Sequence, residues 1–177
     1  MARIGAAPET HHTLPQDFAT ELGRCVADFG WLEEILKRTI YALERARLAD
    51  DLTEAELRAW LSKIQGIADD SMGTLIEQMD AAMRRHPGLR DRSRITDRLA
   101  ELRLWRNLLC HASWRPTEVP TLWHPAFVSL RGEVQQKALS LEDLRHIRAQ
   151  VAEIGERVLR VMRTTGIQGE WAGDEPS

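Results

Sequence analysis

Cysteine is nearly absent from this chain of 177 residues: Cys25 and Cys110 are the only two. Two cysteines cannot staple a small fold, so a disulfide framework is excluded. Both lie in apolar helical patterns and are expected to be reduced core residues. Long hydrophobic runs are also missing. None approaches the roughly 20 residues that cross a bilayer, and Met1 to Pro15 lacks the basic-then-apolar order of a secretory leader. The expectation is a soluble, cytoplasmic protein with no membrane partner. Basic charge is not in excess: a net charge of -3 argues against coating nucleic acid by bulk attraction, though not against gripping RNA at one place. Lysine is scarce, with three residues against 21 arginines, so most cations present a planar fork suited to phosphate. There is no Gly-rich phosphate loop, no Cys-x-x-Cys pair, no His-Glu-x-x-His and no internal repeat. His11 and His12 sit side by side in a Gly- and Pro-containing lead-in, and Cys110, His111, His124 and His146 match no zinc spacing. No metal or other cofactor is expected. Asparagine occurs once, at Asn107.

What is abundant is helical periodicity. Phe18, Leu22, Cys25, Phe29, Leu32, Leu36, Ile40 and Leu43 recur at three- and four-residue steps and predict a helix from about Pro15 to Ala49, weakened slightly by Gly23 and Gly30. Thr53 and Glu56 form a capping box that opens a second helix, which continues to Met83 with a kink or break near Gly66 and Gly73. Ser93 is expected to cap a third, with Ile95, Leu99, Leu102, Trp105, Leu108-Leu109 and Ala112 on its apolar side. Pro116, Pro120 and Pro125 forbid helix in the next stretch, where Ala126 to Leu130 and Val134 to Leu139 alternate as a short β-hairpin would. Ser140 and Asp143 cap a last helix, from Leu141 to Thr165. The expected fold is all-α: a four-helix, up-down bundle over residues 15–165 with a Pro-rich connection before the last helix. Residues 1–14 read as a flexible lead-in and 166–177 as a flexible tail in which Trp171 can dock.

One short run stands out, Arg106-Asn107-Leu108-Leu109-Cys110-His111. An Arg followed five residues later by a His means little in a chain this rich in arginine, since chance supplies roughly 0.7 such pairs. The sole asparagine changes the odds: the chance that it follows an Arg and precedes a His by four is roughly 0.004. The residue types suit RNA cleavage by internal transfer, which needs a base for the 2′-hydroxyl, an acid for the leaving oxygen and a cation at the phosphate. Histidine ordinarily titrates at about pH 6.5, so His111 can be base or acid. Arg106 supplies permanent charge in a fork, and Asn107 can orient His111 or donate to the phosphate. On a straight helix, five residues turn the two side chains about 140° apart, so the helix must end or distort near His111, or a second subunit must complete the site. A structural reading competes, in which Arg106 and His111 simply complement the helix C-terminus. Arg103, Arg115 and Arg131 can hold backbone phosphates, or form a solvated face. Trp114 and Trp123 can stack on bases or pack in the core; Trp105 reads as core.

The run resembles the signature of the HEPN superfamily: Arg, a polar residue that is often Asn, three variable residues, then His. The resemblance extends to Phe29-Gly30-Trp31-Leu32-Glu33 and to Ala112-Ser113-Trp114 after the motif, and it spans about residues 15–165, although only the motif is specific. It implies a helical bundle that dimerises with two motifs facing across one cleft, and a metal-independent endoribonuclease of a toxin–antitoxin or anti-phage system. Arg106 and His111 would then be catalytic, with Asn107 as orienter. Arg103, Trp114 and Arg115 would touch RNA, and Glu33 would be a supporting carboxylate. An antitoxin or a nucleotidyltransferase would be the partner protein. Other members of the family have lost catalysis and bind only RNA or a partner, and that alternative stays open, as does a purely structural helical subunit.

Overall fold

A computed structural model describes residues 12–48, 53–67, 70–89, 91–129, 132–135 and 137–166. The lead-in through His11, Arg131 and the tail with Trp171 lie outside the described residues. The chain is mostly helical. Among the described residues there are five helices: α1 (Gln16–Arg45), α2 (Glu54–Ile67), α3 (Met72–Arg84), α4 (Arg92–His111) and α5 (Leu141–Thr164). Between α4 and α5 run three strands, β1 (Ser113–Pro116), β2 (Trp123–Ser129) and β3 (Gly132–Gln135), in an antiparallel sheet of order β1-β2-β3.

The expected second helix is in fact two. The break falls where Gly66 and Gly73 placed it, and Ser71 restarts the chain as an N-cap, its hydroxyl accepting from the Thr74 N–H at 3.3 Å. Four helices therefore become five. The capping boxes form as read. Glu56 accepts from the Thr53 N–H at 2.9 Å, and Asp143 accepts from the Ser140 N–H at 2.8 Å while Ser140 Oγ accepts from the Asp143 N–H at 3.1 Å. Ser93 does not cap α4: the helix starts one residue earlier, and Asp91 precedes it in the left-handed region at φ 61°.

β1 lies inside the segment expected to be an irregular connection. Its proline sits at an edge, where the missing N–H costs no ladder bond. Pro125 is in the central strand, which prolines normally avoid. There the register shifts by one residue between the pairs Ala126↔Gln135 and Trp123↔Leu139, so the absent N–H falls at a break in the ladder.

The chain divides into two compact units, Met1–Gly30 with Glu101–Ala152 and Trp31–Ala100 with Glu153–Ser177. Helices α1, α4 and α5 each begin in one unit and end in the other. The first unit has a core of Phe18, Cys25 and Phe29 from α1, Leu102 and Leu109 from α4, Trp123 from β2, and Leu144 and Val151 from α5. Phe18 meets Trp114 edge-on at 5.3 Å between ring centroids and Trp123 at 6.1 Å. At the edge of this core lies an ion network: Arg148 donates to Glu21 at 2.6 Å and to Asp28 at 2.7 Å, and Glu21 is only 4% exposed while Arg148 and Asp28 are each about a third exposed. The hydrogen bond and charge of Arg148, with help from Arg24, hold the Glu21 carboxyl below the usual glutamate range despite its burial. Cys25 donates to the Leu144 carbonyl at 3.5 Å, and burial pushes its thiol up to about 12. It is the inert core residue expected.

The second unit packs Leu36, Ile40 and Leu43 of α1, Leu75, Met79 and Met83 of α3, Leu99 of α4 and Val158 of α5. Burial acts to raise the pKa of Glu44, but its hydrogen bond to Lys63 and the charges of Lys63 and Arg85 outweigh it and hold the carboxyl low. The same contest at Asp80 is won by Arg92 and Arg84. Gly155 of α5 is required by close approach: a Cβ there would lie 2.3 Å from the Cη2 and Cζ3 atoms of Trp31. By contrast, Gly23 and Gly30 have nothing within 4 Å of an added Cβ. Gly23→Ala and Gly30→Ala are each expected to stabilise the protein by about 0.5–1 kcal/mol through helix propensity. Gly155→Ala gains the same term but loses more by displacing a rigid indole, for a net loss of about 1 kcal/mol. Urea unfolding midpoints of the three variants will show whether the signs divide this way.

Candidate functional site

The motif occupies the last turn and a half of α4, and His111 is the final helical residue. The Ala112 N–H still donates to the Leu108 carbonyl at 2.9 Å, so the helix is regular to its end, and β1 begins at Ser113. The chain leaves the helix there because Pro116 lies close ahead and the sheet ladder takes over the backbone hydrogen bonds. Arg106 Nη1 lies 3.5 Å from His111 Nε2. The turn angle that should hold the two side chains apart is overcome by the length of the arginine side chain. A guanidinium can only donate, so in this contact Nε2 presents its lone pair.

The motif is on the surface. Arg106 and Asn107 are half-buried, and His111 is exposed. Asn107 and His111, four residues apart, share a helix face. No hydrogen bond joins Asn107 to His111 among the described residues. On the same face Leu104 is 65% exposed, more than any other large apolar side chain among the described residues. Cys110 is exposed too, rotated about 100° from His111 around the helix. That corrects the expectation of a core thiol: position 110 falls beside Leu109 but off the stripe of Leu102 and Leu109, both of which are buried.

The other expected site residues are placed as follows. Arg103 and Arg115 are exposed. Trp114 is half-buried with its ring set against Phe18, which leaves only part of it for any ligand. Trp123, 7% exposed, is a core residue, and Trp105 is half-buried. Glu33 is half-buried on α1, in the unit that does not contain the motif. Sequence reading passed over Leu104, although its absence from the apolar stripe of α4 was the available signal. It also passed over the Glu21–Arg148–Asp28 network, whose carboxylates lie seven residues apart along the apolar edge of α1.

An open cleft of about 530 Å³ in the first unit is lined by Gln16, Asp17, Thr20, Glu21, Arg24, Leu141 and Arg145, and contains no motif residue. Among the described residues no group of three or more His, Cys, Asp or Glu side chains is arranged to hold a metal ion. No helix among them is long and apolar enough to cross a membrane. Comparison with protein-family models, curated proteins and solved structures finds no match to this chain.

Proposed function

We infer that the chain is a metal-independent endoribonuclease of HEPN type, acting as a homodimer in a bacterial toxin or anti-phage system. The observation that carries this reading is the meeting of Arg106 and His111 at 3.5 Å on an exposed helix end. An imidazole lone pair and a guanidinium fork placed together on an open surface suit an extended phosphodiester better than a small enclosed substrate. In the reaction, a base removes the 2′-hydroxyl proton and the 2′-oxygen attacks phosphorus. The bond to the 5′-oxygen breaks, and that oxygen takes up a proton. The products are a 2′,3′-cyclic phosphate and a 5′-hydroxyl. His111 of one copy can remove the first proton, and a second copy of His111 can supply the last, while Arg106 neutralises the charge that builds on the phosphoryl oxygens. Arg103 and Arg115 hold flanking phosphates, and the open part of Trp114 meets a base. An antitoxin or a nucleotidyltransferase is the partner protein.

The test is incubation of the purified protein with single-stranded RNA in EDTA, with the ends identified by mass. Cyclic phosphate ends are expected; intact RNA would overturn the enzyme reading. A catalytically silent module that binds RNA or a partner protein is the alternative reading. Binding without cutting would select it.

We place the two-fold seam on the face that carries Leu104, Asn107 and His111 at helical spacing, where a second copy would cover the exposed leucine and bring the two motifs together. Leu104→Glu is expected to turn a dimer into a monomer in sedimentation. A surface change of this kind alters monomer stability by only about 0.5 kcal/mol. A variant that remains dimeric would remove α4 from the interface.

A further inference from the structure

The sheet that follows the motif has two unlike faces. Phe18 packs on Trp114 and Trp123, and the register places those two with Pro125 and Pro116 on one face. Side chains alternate along a strand, and directly paired residues in an antiparallel ladder point to the same side. Ser113, Arg115, His124 and Ala126 therefore belong to the opposite face. Arg115 is the Cα partner of His124. Such partners have their Cβ atoms roughly 4.5–5.5 Å apart, close enough for both side chains to reach one ligand. Arg115 is exposed and His124 half-buried. The two thus repeat on the sheet the combination that Arg106 and His111 make on the helix, with one fork of permanent charge and one imidazole. Four residues of chain separate Arg115 from His111, which limits their Cα separation to about 14 Å.

We propose that Arg115 and His124 form a second phosphate-binding subsite, which grips the RNA backbone beside the bond addressed by Arg106 and His111. Arg115 takes two phosphoryl oxygens in its fork, and His124 donates a ring N–H to the same group. The subsite has no part in bond breaking. Its effect is on register and on the length of RNA held. The proposal rests on the RNA reading above, and His124 is the residue it adds.

The experiment measures binding of a fluorescent 12-nucleotide RNA, 2′-O-methylated so that it cannot be cut, to the full-length protein at several salt concentrations. In Arg115→Gln/His124→Gln the dissociation constant is expected to rise about tenfold, the cost of one or two phosphate interactions. The slope of log affinity against log salt is expected to shrink by about 0.7 for each phosphate that is no longer neutralised. Arg115→Lys, which keeps the charge, is expected to retain most of the slope. Circular dichroism melts establish that each variant is folded. Wild-type binding with an unchanged slope in the folded double variant would overturn the subsite and leave the RNA reading intact. An Arg115→Lys slope as small as that of Arg115→Gln would also overturn it. Failure of the wild type to bind the RNA at any salt concentration would overturn the subsite and the RNA reading together.

Discussion

Replacing His111 with alanine is expected to lower the rate constant for RNA cleavage by about 10²–10⁴-fold, the usual contribution of a positioned acid or base. The substitution should leave folding intact, because the imidazole is exposed at the last position of α4 and supports no part of the core. Arg106→Ala is expected to cost about 10²–10³-fold by removing the charge that meets the phosphoryl oxygens. Arg106→Lys should recover little, since an ammonium is a point charge and cannot present two parallel donors. The two losses will not add. The side chains touch, and groups that act as a unit are removed once, so Arg106→Ala/His111→Ala should be no slower than the worse single variant by more than a small factor. Initial rates on a single-stranded RNA in EDTA settle the matter. Equal cleavage by wild type and the double variant would place the chemistry elsewhere. Retained RNA binding by a wild type that does not cut would make the protein a binding module.

Arg148→Ala is expected to destabilise the protein by about 1–2 kcal/mol, less than the loss of a fully buried ion pair because Arg148 and Asp28 are each about a third exposed. Arg148 bridges Glu21 and Asp28, and Glu21 is almost wholly buried. Without the guanidinium, a largely buried carboxylate is left at the wall of the open cleft with the exposed Arg24, 3.4 Å away, as its remaining ion-pair partner among the described residues. For a chain of this size the expected fall in melting temperature is roughly 2–8 °C. Adding Glu21→Gln should restore part of it, because much of the cost is the stranded charge rather than the packing of the arginine. The pH dependence follows from the same ion pair. Glu21 in the folded protein titrates below its unfolded range, so its contribution is present above that range and is lost as the pH falls through the depressed value. Glu44 and Asp80 act in the same direction. Melting temperatures from pH 7 down to pH 3 should therefore fall for the wild type and fall less steeply for Arg148→Ala. Parallel curves would mean that the network contributes nothing through charge.

Much of this was legible in the order of residues. The 3.6-residue period placed α1, α4 and α5, because each buries one stripe and the period is a property of the helix itself. Thr53-Glu56 and Ser140-Asp143 marked helix starts because a capping box is local chemistry: every group in it lies within three residues. The break in the second helix was also local, written in Gly66 and Gly73. β1 was not legible. Ser113 to Pro116 carries no alternation strong enough to read, and it is a strand because Trp123 to Ala126 lies beside it, a pairing between residues seven to thirteen apart. Cys110 was misplaced for a related reason: apolar neighbours in sequence do not say which way a helix is rotated against its core.

The sequence alone determined that the chain is mostly helical, where most of its helices start and stop, and that Arg106, Asn107 and His111 form an uncommon run at a helix end. These follow from interactions spanning a few residues. Only the tertiary structure decided that Arg106 and His111 touch, that Trp123 is core while Trp114 is pinned against Phe18, and that Arg115 faces His124 across two strands. Only it could show that Glu21 is buried with a partner 127 residues away. Pairings of that kind depend on which distant surfaces pack together and on where long side chains end. Neither is encoded in a pattern of spacing.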